Sequence, residues 1–396
     1  MCYAIPGKVV EIKDNIVTVD YFGEKRKAKN DFYKLSAGDY IYAQGGFVVQ
    51  RVSRQEAKEI LKTWEELFFK LQQTDLRLAQ KPKDLRQIAN SVRQKELGNS
   101  CCVHGILEFS NYCRNDCLYC GLRNSNSSLT RYRMDIDEIV AAADIAVRKL
   151  KFKALVLQSG EDPWYDGKKL IEIIKRIRKK SPALLILSIG EREAGLYEKL
   201  YKAGARGALL RFETSNPALY KKMRPGHNPK ERLDLINRLH DIGYLIMTGF
   251  LIGLPGQTQE DLLKDIQLTG SLGTDMFSFG PFIPHPQTPL ADSPSPSIEE
   301  TLDAIARTRI MSPESRILVT TSLETLDKED GLRQGLLSGG NSLMINVTPK
   351  KYRRLYDIYP DRAGTDADIK ERIDSVVKLL YSIGRAPTDI GLGIQS

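Results

Sequence analysis

Three cysteines, Cys113, Cys117 and Cys120, lie on one short stretch, Ser110-Asn111-Tyr112-Cys113-Arg114-Asn115-Asp116-Cys117-Leu118-Tyr119-Cys120-Gly121. The C-x3-C-x2-C spacing can hold three irons of a 4Fe–4S cluster and leaves the fourth iron without a protein ligand. An open iron can bind and reduce a small molecule, whereas a fully ligated cluster mainly passes electrons. Two other readings use the same residues. A structural zinc site needs four ligands, and His104, nine residues upstream of Cys113, would have to bend back to complete one. A disulfide would use two of the three thiols and leave an odd one.

Such a loop needs a frame that brings other groups to it. From about residue 100 the pattern alternates strands and helices. Val103–Phe109 is followed by the cysteine loop and a helix over 135–149, and Ala154–Leu157 by 168–179. Leu184–Ser188 precedes 191–202, Gly207–Arg211 precedes 230–241, and Tyr244–Ile252 precedes 259–270. Asp275–Phe279 precedes 298–309, Ile317–Thr321 precedes 331–337, and Ser342–Asn346 precedes 352–356. Eight β-then-α units predict an α/β fold, a parallel sheet closed into a TIM-type (β/α)8 barrel. An open barrel of six units with extra helices is the other architecture compatible with the pattern. Either form puts the cysteine loop after the first strand, at the C-terminal mouth where barrel chemistry lies.

The residues just past each strand are polar. Strand two ends in Gln158-Ser159-Gly160-Glu161, able to accept hydrogen bonds from an ammonium group. Strand three ends in Ser188, strand four in Arg211-Phe212-Glu213, and strand seven in Thr320-Thr321-Ser322. Arg232, in the helix after strand four, offers a guanidinium for a carboxylate. Taken singly, Arg211 and Glu213 also fit an internal ion pair, and Arg232 an ordinary surface charge. Gly253-Leu254-Pro255-Gly256-Gln257-Thr258 lacks the lysine of a phosphate loop and reads as a tight turn capping the next helix. His285, between two prolines, reads as structural rather than as a ligand. The case for a site rests on these positions falling at successive strand ends.

Residues 1 to about 52 read as short strands, Lys8–Ile12, Ile16–Tyr21, Tyr40–Ala43 and Phe47–Val49, with a turn at Lys13-Asp14-Asn15, and predict a small all-β barrel. Ser53 and Glu56 form a capping-box pattern for a following helix, whose apolar stripe is Ile60, Trp64, Leu67 and Leu71. A polar segment over 72–84 containing Pro82 marks the junction. The expected organisation is therefore a small barrel plus helix (1–72), a helical linker (73–99) and a large barrel (100–390).

Composition narrows the class. The chain has 396 residues, 41% of them hydrophobic, and no apolar run of membrane-spanning length. No secretory signal pattern opens it. Six cysteines, clustered rather than spread, point to a reducing cytoplasm and metal chemistry. The net charge of +9 comes from basic residues scattered among acidic ones, so nucleic acid is not an expected partner. Cys101 and Cys102 read as buried thiols beside strand one.

The cysteine spacing, with an aromatic before the last cysteine, resembles the radical S-adenosylmethionine (SAM) superfamily. Over residues 84–390 the chain resembles HydE, the radical SAM maturase family of iron-only hydrogenase. The resemblance runs through Glu108-Phe109-Ser110-Asn111 and the cysteine loop, Cys120-Gly121-Leu122-Arg123, Arg131-Tyr132-Arg133-Met134 and Gln158 to Pro163. It continues in Gly253 to Thr258, Gly280 to Leu290 and Tyr352-Arg353-Arg354-Leu355-Tyr356. It implies a complete barrel with SAM on the open iron. Gln158, Ser159, Gly160 and Glu161 would line the methionine amine, Arg232 would hold its carboxylate, and Ser188, Arg211 and Glu213 would flank SAM. Tyr119, Met276 and Ile283 would contact the adenosine end, with Thr320, Thr321, Tyr356 and Tyr359 against the substrate. No cysteine follows Cys120, so one cluster is expected where some members carry two.

The first 70 residues resemble HypC, a small-barrel maturation family, in Met1-Cys2-Tyr3-Ala4-Ile5-Pro6-Gly7-Lys8-Val9. That resemblance makes Cys2 a candidate iron-carrier thiol. Gln44 stands where the family usually has a histidine, and an amide is a poor substitute for imidazole. The two resemblances together imply a radical SAM enzyme of hydrogenase maturation acting on a cysteine-ligated iron complex with carbonyl and cyanide. Its implied partners are a precursor-synthesising enzyme, a scaffold GTPase and a reductant such as ferredoxin or flavodoxin. The alternatives are a mutase or sulfur-insertion enzyme on an organic substrate, like methylornithine or biotin synthase, and a non-enzymatic iron carrier using Cys2.

Overall fold

The computed structural model describes residues 5–389 and the backbone of 392–393; Cys2 lies outside the described residues. Five strands build the small barrel: β1 (Gly7–Lys13), β2 (Ile16–Tyr21), β3 (Glu24–Lys29), β4 (Tyr40–Gln44) and β5 (Phe47–Val52). They pair in the order β3-β2-β1-β4-β5, and the Lys29–Phe47 pairing of β3 with β5 closes the ring. β3 is not anticipated from the pattern. Its sequence EKRKAK buries only Ala28, so it has no apolar alternation to read, and it is held by its register with β2.

The Ser53 hydroxyl accepts the Glu56 N–H (3.2 Å), one half of the expected capping box, and starts α1 (Arg54–Ala79). The stripe that is buried is Ala57, Trp64, Phe68 and Leu71, one helical face against the small barrel. The helix runs unbroken through residue 72, so the expected boundary falls inside it. The turn at Pro82 separates α1 from α2 (Leu85–Leu97), capped by Asp84. The two helices are clamped rather than tethered: fully buried Asp75 pairs with Arg93 (2.7 Å) on α2 and Arg385 (2.9 Å) near the end of the large barrel.

The large barrel has eight parallel strands: β6 (Cys102–Ser110), β7 (Ala154–Ser159), β8 (Leu184–Ser188), β9 (Gly207–Leu209), β10 (Leu245–Thr248), β12 (Met276–Phe277), β14 (Arg316–Ile317) and β15 (Ser342–Asn346). β10 and β12 break and continue as a separate pair, β11 (Leu251–Ile252) and β13 (Gly280–Pro281). β15 pairs with β6, and the ring closes where Val319 N–H donates to Ser342 O (2.8 Å) and Asn341 N–H to Ile317 O (3.1 Å). This is the closed eight-stranded barrel, not the six-unit form. Helices α3 (Ile136–Asp144), α4 (Gly167–Lys180), α5 (Ala194–Ala203), α6 (Pro217–Met223), α7 (Pro229–Ile242), α8 (Gln259–Ser271) and α9 (Ile298–Met311) follow successive strands. Side-chain caps at Asp135, Asp166, Asn216, Asn228, Thr258 and Ser297 start six of them and leave the preceding loops free to face the mouth. α10 (Thr321–Leu326), α11 (Gly331–Leu337), α12 (Lys350–Arg353) and α13 (Ile369–Ser382) complete the outer layer. A last short strand, β16 (Leu392–Gly393), returns to pair antiparallel with β3.

Strand alternation divides the barrel interior into two levels. Near the C-terminal mouth, Gln158, Ser188, Arg211, Ser278, Thr320 and Asn346 line a cavity of about 330 Å³. Toward the other mouth, Ala154, Val156, Leu184, Ile186, Leu245 and Met247 form an apolar plug.

Candidate functional site

The cysteine loop leaves β6 at Ser110 and is laced down by side chains from the following segment. Ser110 Oγ donates to Asp162 (2.7 Å), whose carboxylate also takes Arg133 Nε (2.7 Å) and Nη2 (2.9 Å). The Arg133 guanidinium lies 3.6 Å over the Tyr112 ring. Arg131 donates to the carbonyls of Asn111 (2.6 Å), Leu122 (2.9 Å) and Arg123 (2.6 Å). Asn111 bonds Tyr132 N–H (2.7 Å) and Leu355 O (2.7 Å). The Arg131–Met134 motif is thus the loop's scaffold. Gly160 lets β7 approach it: a Cβ there would stand 2.2 Å from Tyr112 O and 2.9 Å from Cys113 Cβ.

Cys113, Cys117 and Cys120 are free thiols lining the cavity. Burial pushes all three above the ordinary thiol range, so as thiolates they need a cation for company. Among the described residues no three His, Cys, Asp or Glu side chains are grouped to hold one metal ion. Three such thiols suit a polynuclear cluster, where each binds a different iron, better than a single zinc.

Beside the triad, two buried arginines face the cavity. Arg232, on α7, sets its Nε 2.5 Å from Glu191 Oε1 but off the N–H direction, an ion pair without a hydrogen bond. Arg224, in the loop after α6, reaches Glu161 (3.8 Å) and Glu191 (3.9 Å). Arg232 Nη2 and Arg224 Nε and Nη2 are buried with no hydrogen-bond partner. Buried guanidinium donors left open in this way are set for a carboxylate. Glu161 itself is committed. It accepts Glu191 N–H (2.9 Å) and Arg114 Nε (3.2 Å). Burial alone would raise its carboxyl, but Arg232, that N–H and Arg224 outweigh burial and hold it below the usual range. On the same wall Gln158 Oε1 accepts the Ser188 hydroxyl (3.2 Å), and the Gln158 side chain also meets the Tyr356 hydroxyl.

Arg211 and Glu213 do both things the pattern allowed: they line the cavity and pair with each other (3.0 Å). Glu213 holds φ +68°, a left-handed backbone that costs about 1 kcal/mol or more for a non-glycine residue and clusters at functional sites. Tyr119 and Ile283 lie on an apolar wall with Leu251 and Phe282. Met276 does not. It is fully buried in the lower plug, where its sulfur accepts the Ser342 hydroxyl (3.2 Å). It sits one inward step too low on β12, and Ser278, two residues on, takes the cavity position. At the far end, Thr320 and Ser322 share a hydrogen bond (2.9 Å) beside Thr321, Tyr356 and Tyr359. Arg362 closes that end, bonded to buried Glu108 (2.5 Å) and Tyr356 O (2.5 Å) with its Nε unpartnered.

Sequence reasoning missed Arg224, Glu191 and Arg362, which sit in loops, and Ser278 and Asn346, which lie inside recognised strands but are not singled out there as facing the cavity. The Gly253–Thr258 stretch is the expected turn: Gln257 Oε1 accepts Gly253 N–H (2.7 Å), and Thr258 caps α8. His285 is structural, bonded to Asp357 (3.0 Å). Cys101 and Cys102 are buried. Among the described residues, no helix is long and apolar enough to cross a membrane.

A closed (β/α)8 barrel with three thiols and open arginines at its mouth defines a class, and residues 107–269 match the Radical SAM superfamily model. The protein is a radical SAM enzyme. It is 42% identical over 303 residues to the [FeFe] hydrogenase maturase subunit HydE of Thermotoga maritima, spanning 76% of this chain and 86% of that one. The chain belongs to the HydE family. It is also 29% identical over 308 residues to the 3-methylornithine synthase of Methanosarcina acetivorans, spanning 76% of this chain and 85% of that one. The solved methylornithine synthase PylB superposes with TM-score 0.67 at 25% identity, covering 82% of this chain and 97% of that one. HydG from Carboxydothermus hydrogenoformans, at 23% identity, shares the fold with TM-score 0.64 over 84% of this chain and 80% of that one. Residues 1–64 match the HupF/HypC family. The superfamily implies a 4Fe–4S cluster and SAM, and the free thiols and unpartnered arginines fit that pair.

Proposed function

We propose that this enzyme matures a hydrogenase metal centre by acting on a small iron complex that carries carbonyl, cyanide and a cysteine ligand. One observation carries the reading: a single cavity joins the three thiols, the open arginine pair and a hydroxyl-rich far end closed by Arg362. Cys113, Cys117 and Cys120 hold three irons of one cluster. Arg232 and Arg224 take the SAM carboxylate. Gln158 and the Ser159–Gly160 backbone receive its ammonium group with Ser188 beside them, while Glu161 orients the arginines. Tyr119 and Ile283 border the adenosine, and the Arg211–Glu213 pair flanks the reacting region. When bound, cluster and SAM supply a 5′-deoxyadenosyl radical by one-electron cleavage of the sulfonium.

Thr320, Thr321, Tyr356 and Tyr359 contact the substrate, and Arg362, its charge met by Glu108, offers it the unpartnered Nε donor. Enclosure by Leu251, Phe282 and Leu318 keeps water from the radical. The substrate's cysteine sulfur is the site of attack. The precursor comes from another maturation enzyme, the iron unit passes to a scaffold GTPase, and ferredoxin or flavodoxin supplies the electron in a reducing cytoplasm.

The test is anaerobic turnover of the reconstituted, reduced protein with a synthetic iron–carbonyl–cyanide–cysteine complex. The expected result is 5′-deoxyadenosine together with consumption of the complex. No SAM cleavage with a full cluster present sinks the reading. The likeness to PylB favours a second reading, a mutase, and methylornithine formed from lysine would select it.

A further inference from the structure

No described residue of the small barrel lines the reaction cavity, yet its β4–β5 hairpin is driven into the opposite end of the large barrel. Gly45, at the tip with φ +59°, has no room for a side chain: a Cβ would stand 2.6 Å from Leu245 Cδ1 and 3.0 Å from Leu184 Cδ2. Tyr42, Phe47, Val49, Val52 and Ala57 form one buried apolar cluster with the lower side chains of β7, β8 and β10. Gln44 is 1% exposed.

We propose that the small barrel is the fixed floor of the reaction cavity, seated in the N-terminal mouth of the large barrel, and that it works in place rather than leaving as a carrier. The floor is thin. Ile106, Leu209, Leu318 and Met344 line the cavity on one side and belong to, or pack against, the hairpin's cluster on the other. A lifted hairpin would leave that layer with water beneath it and an apolar hole open to solvent. Polar contacts ring the seal. Lys153 Nζ donates to Gln50 Oε1 (2.7 Å) and lies 4.4 Å from the Tyr42 ring centre. Arg206 pairs with Asp31 (2.7 Å), and Arg178 lies 3.8 Å over Phe32. Asp389 accepts Gly45 N–H (2.7 Å) and pairs with Arg316 (3.0 Å). These contacts join four parts of the large barrel to the hairpin and its neighbours.

Two consequences follow for function. Among the described residues a seated small barrel closes the end away from the cysteines, so substrate and product would share the cysteine-side mouth. The Gln44–Phe47 turn is inaccessible to another protein while the domain is seated.

Hydrogen exchange of the full chain, read by mass spectrometry, tests the seat independently of any activity. Amides of residues 41–49, 154–156 and 245–247 should exchange no faster than residues 107–109 of β6, whose Leu107 and Phe109 pack in the main core away from the hairpin's cluster, that is, only in global opening. Joint exchange of those three segments at roughly 100-fold the rate of residues 107–109 would overturn the proposal, because that is the signature of a domain that lifts away. The variant Gly45→Leu should raise exchange at 154–156 and 245–247 by at least about 10-fold while residues 8–20 stay protected. Should Gly45→Leu unfold the small barrel, Phe47→Ala provides the same reading with a smaller insult. Unchanged exchange at 154–156 and 245–247 in a variant whose hairpin is displaced equally refutes the floor.

Discussion

The two levels of the large barrel are built on the same strands and to opposite rules. The lower level is apolar and filled by its own side chains and a hairpin from another domain. The upper level keeps buried guanidinium donors without partners, a carboxylate held by several cations and a residue in a left-handed backbone. Stability is concentrated where nothing binds, and unsatisfied groups are concentrated where ligands go. At the boundary a single inward step of two residues moves a position from one regime to the other, as Val156 and Gln158, Ile186 and Ser188, and Met276 and Ser278 show.

That contrast can be broken from either side. The largest effect belongs to the upper level: replacing Cys113, Cys117 and Cys120 with alanine should reduce 5′-deoxyadenosine formation to background and abolish iron uptake. The apo-protein's thermal midpoint should stay near that of the apo wild type, and a large drop would mean the loop is structural. Phe47→Ala attacks the lower level. It should destabilise the chain by about 3–5 kcal/mol in denaturant titration while SAM affinity is kept. Arg232→Lys is narrower. Replacing a fork with a point charge should weaken SAM binding by about 2 kcal/mol, roughly 30-fold by calorimetry, with stability little changed.

The smallest effect concerns Asp265 on α8, which accepts Gln257 Nε2 (2.8 Å) and the Ser215 N–H and so holds the loops carrying Glu213 and Gly253. Burial pushes its carboxyl up to about 6, against the hydrogen bonds from Ser215 and Gln257. The folded chain therefore binds more protons here than the unfolded chain between the ordinary carboxylate range and about pH 6. Its contribution is full below that window and is lost as pH rises through it. Asp265→Asn should flatten the stability–pH curve between about pH 4 and 6, measured by urea titration; an unchanged slope there would remove Asp265 from the account.

Much of this is legible in the amino-acid sequence. The β-branched and leucine runs at Ala154–Leu157 and Leu184–Ser188 mark buried parallel strands, and the cysteine spacing marks the loop between the first strand and its helix. What stays hidden has a physical cause in each case. β3 carries charge at nearly every position and owes its place to its partners. Arg224 looks like any loop arginine, because only folding sets it beside Arg232. Met276 is assigned to the cavity by resemblance, and its burial in the lower plug shows that strand identity carries over while depth along the barrel axis does not. The seat of the small barrel depends on a glycine meeting leucines from two distant strands, a contact without local pattern.

The return of β16 to β3, with Ile5 N–H bonded to Thr388 Oγ1 across 383 positions, has a consequence for how the chain is made. Ribosomes add about 5–20 residues per second, so the first-born barrel waits roughly 20–80 s for the strand that completes its sheet. During that interval its edge and its hairpin are bare. The order of synthesis thus leaves the small barrel dependent on a segment made only after the large one, and truncation near residue 388 should be felt in the small barrel.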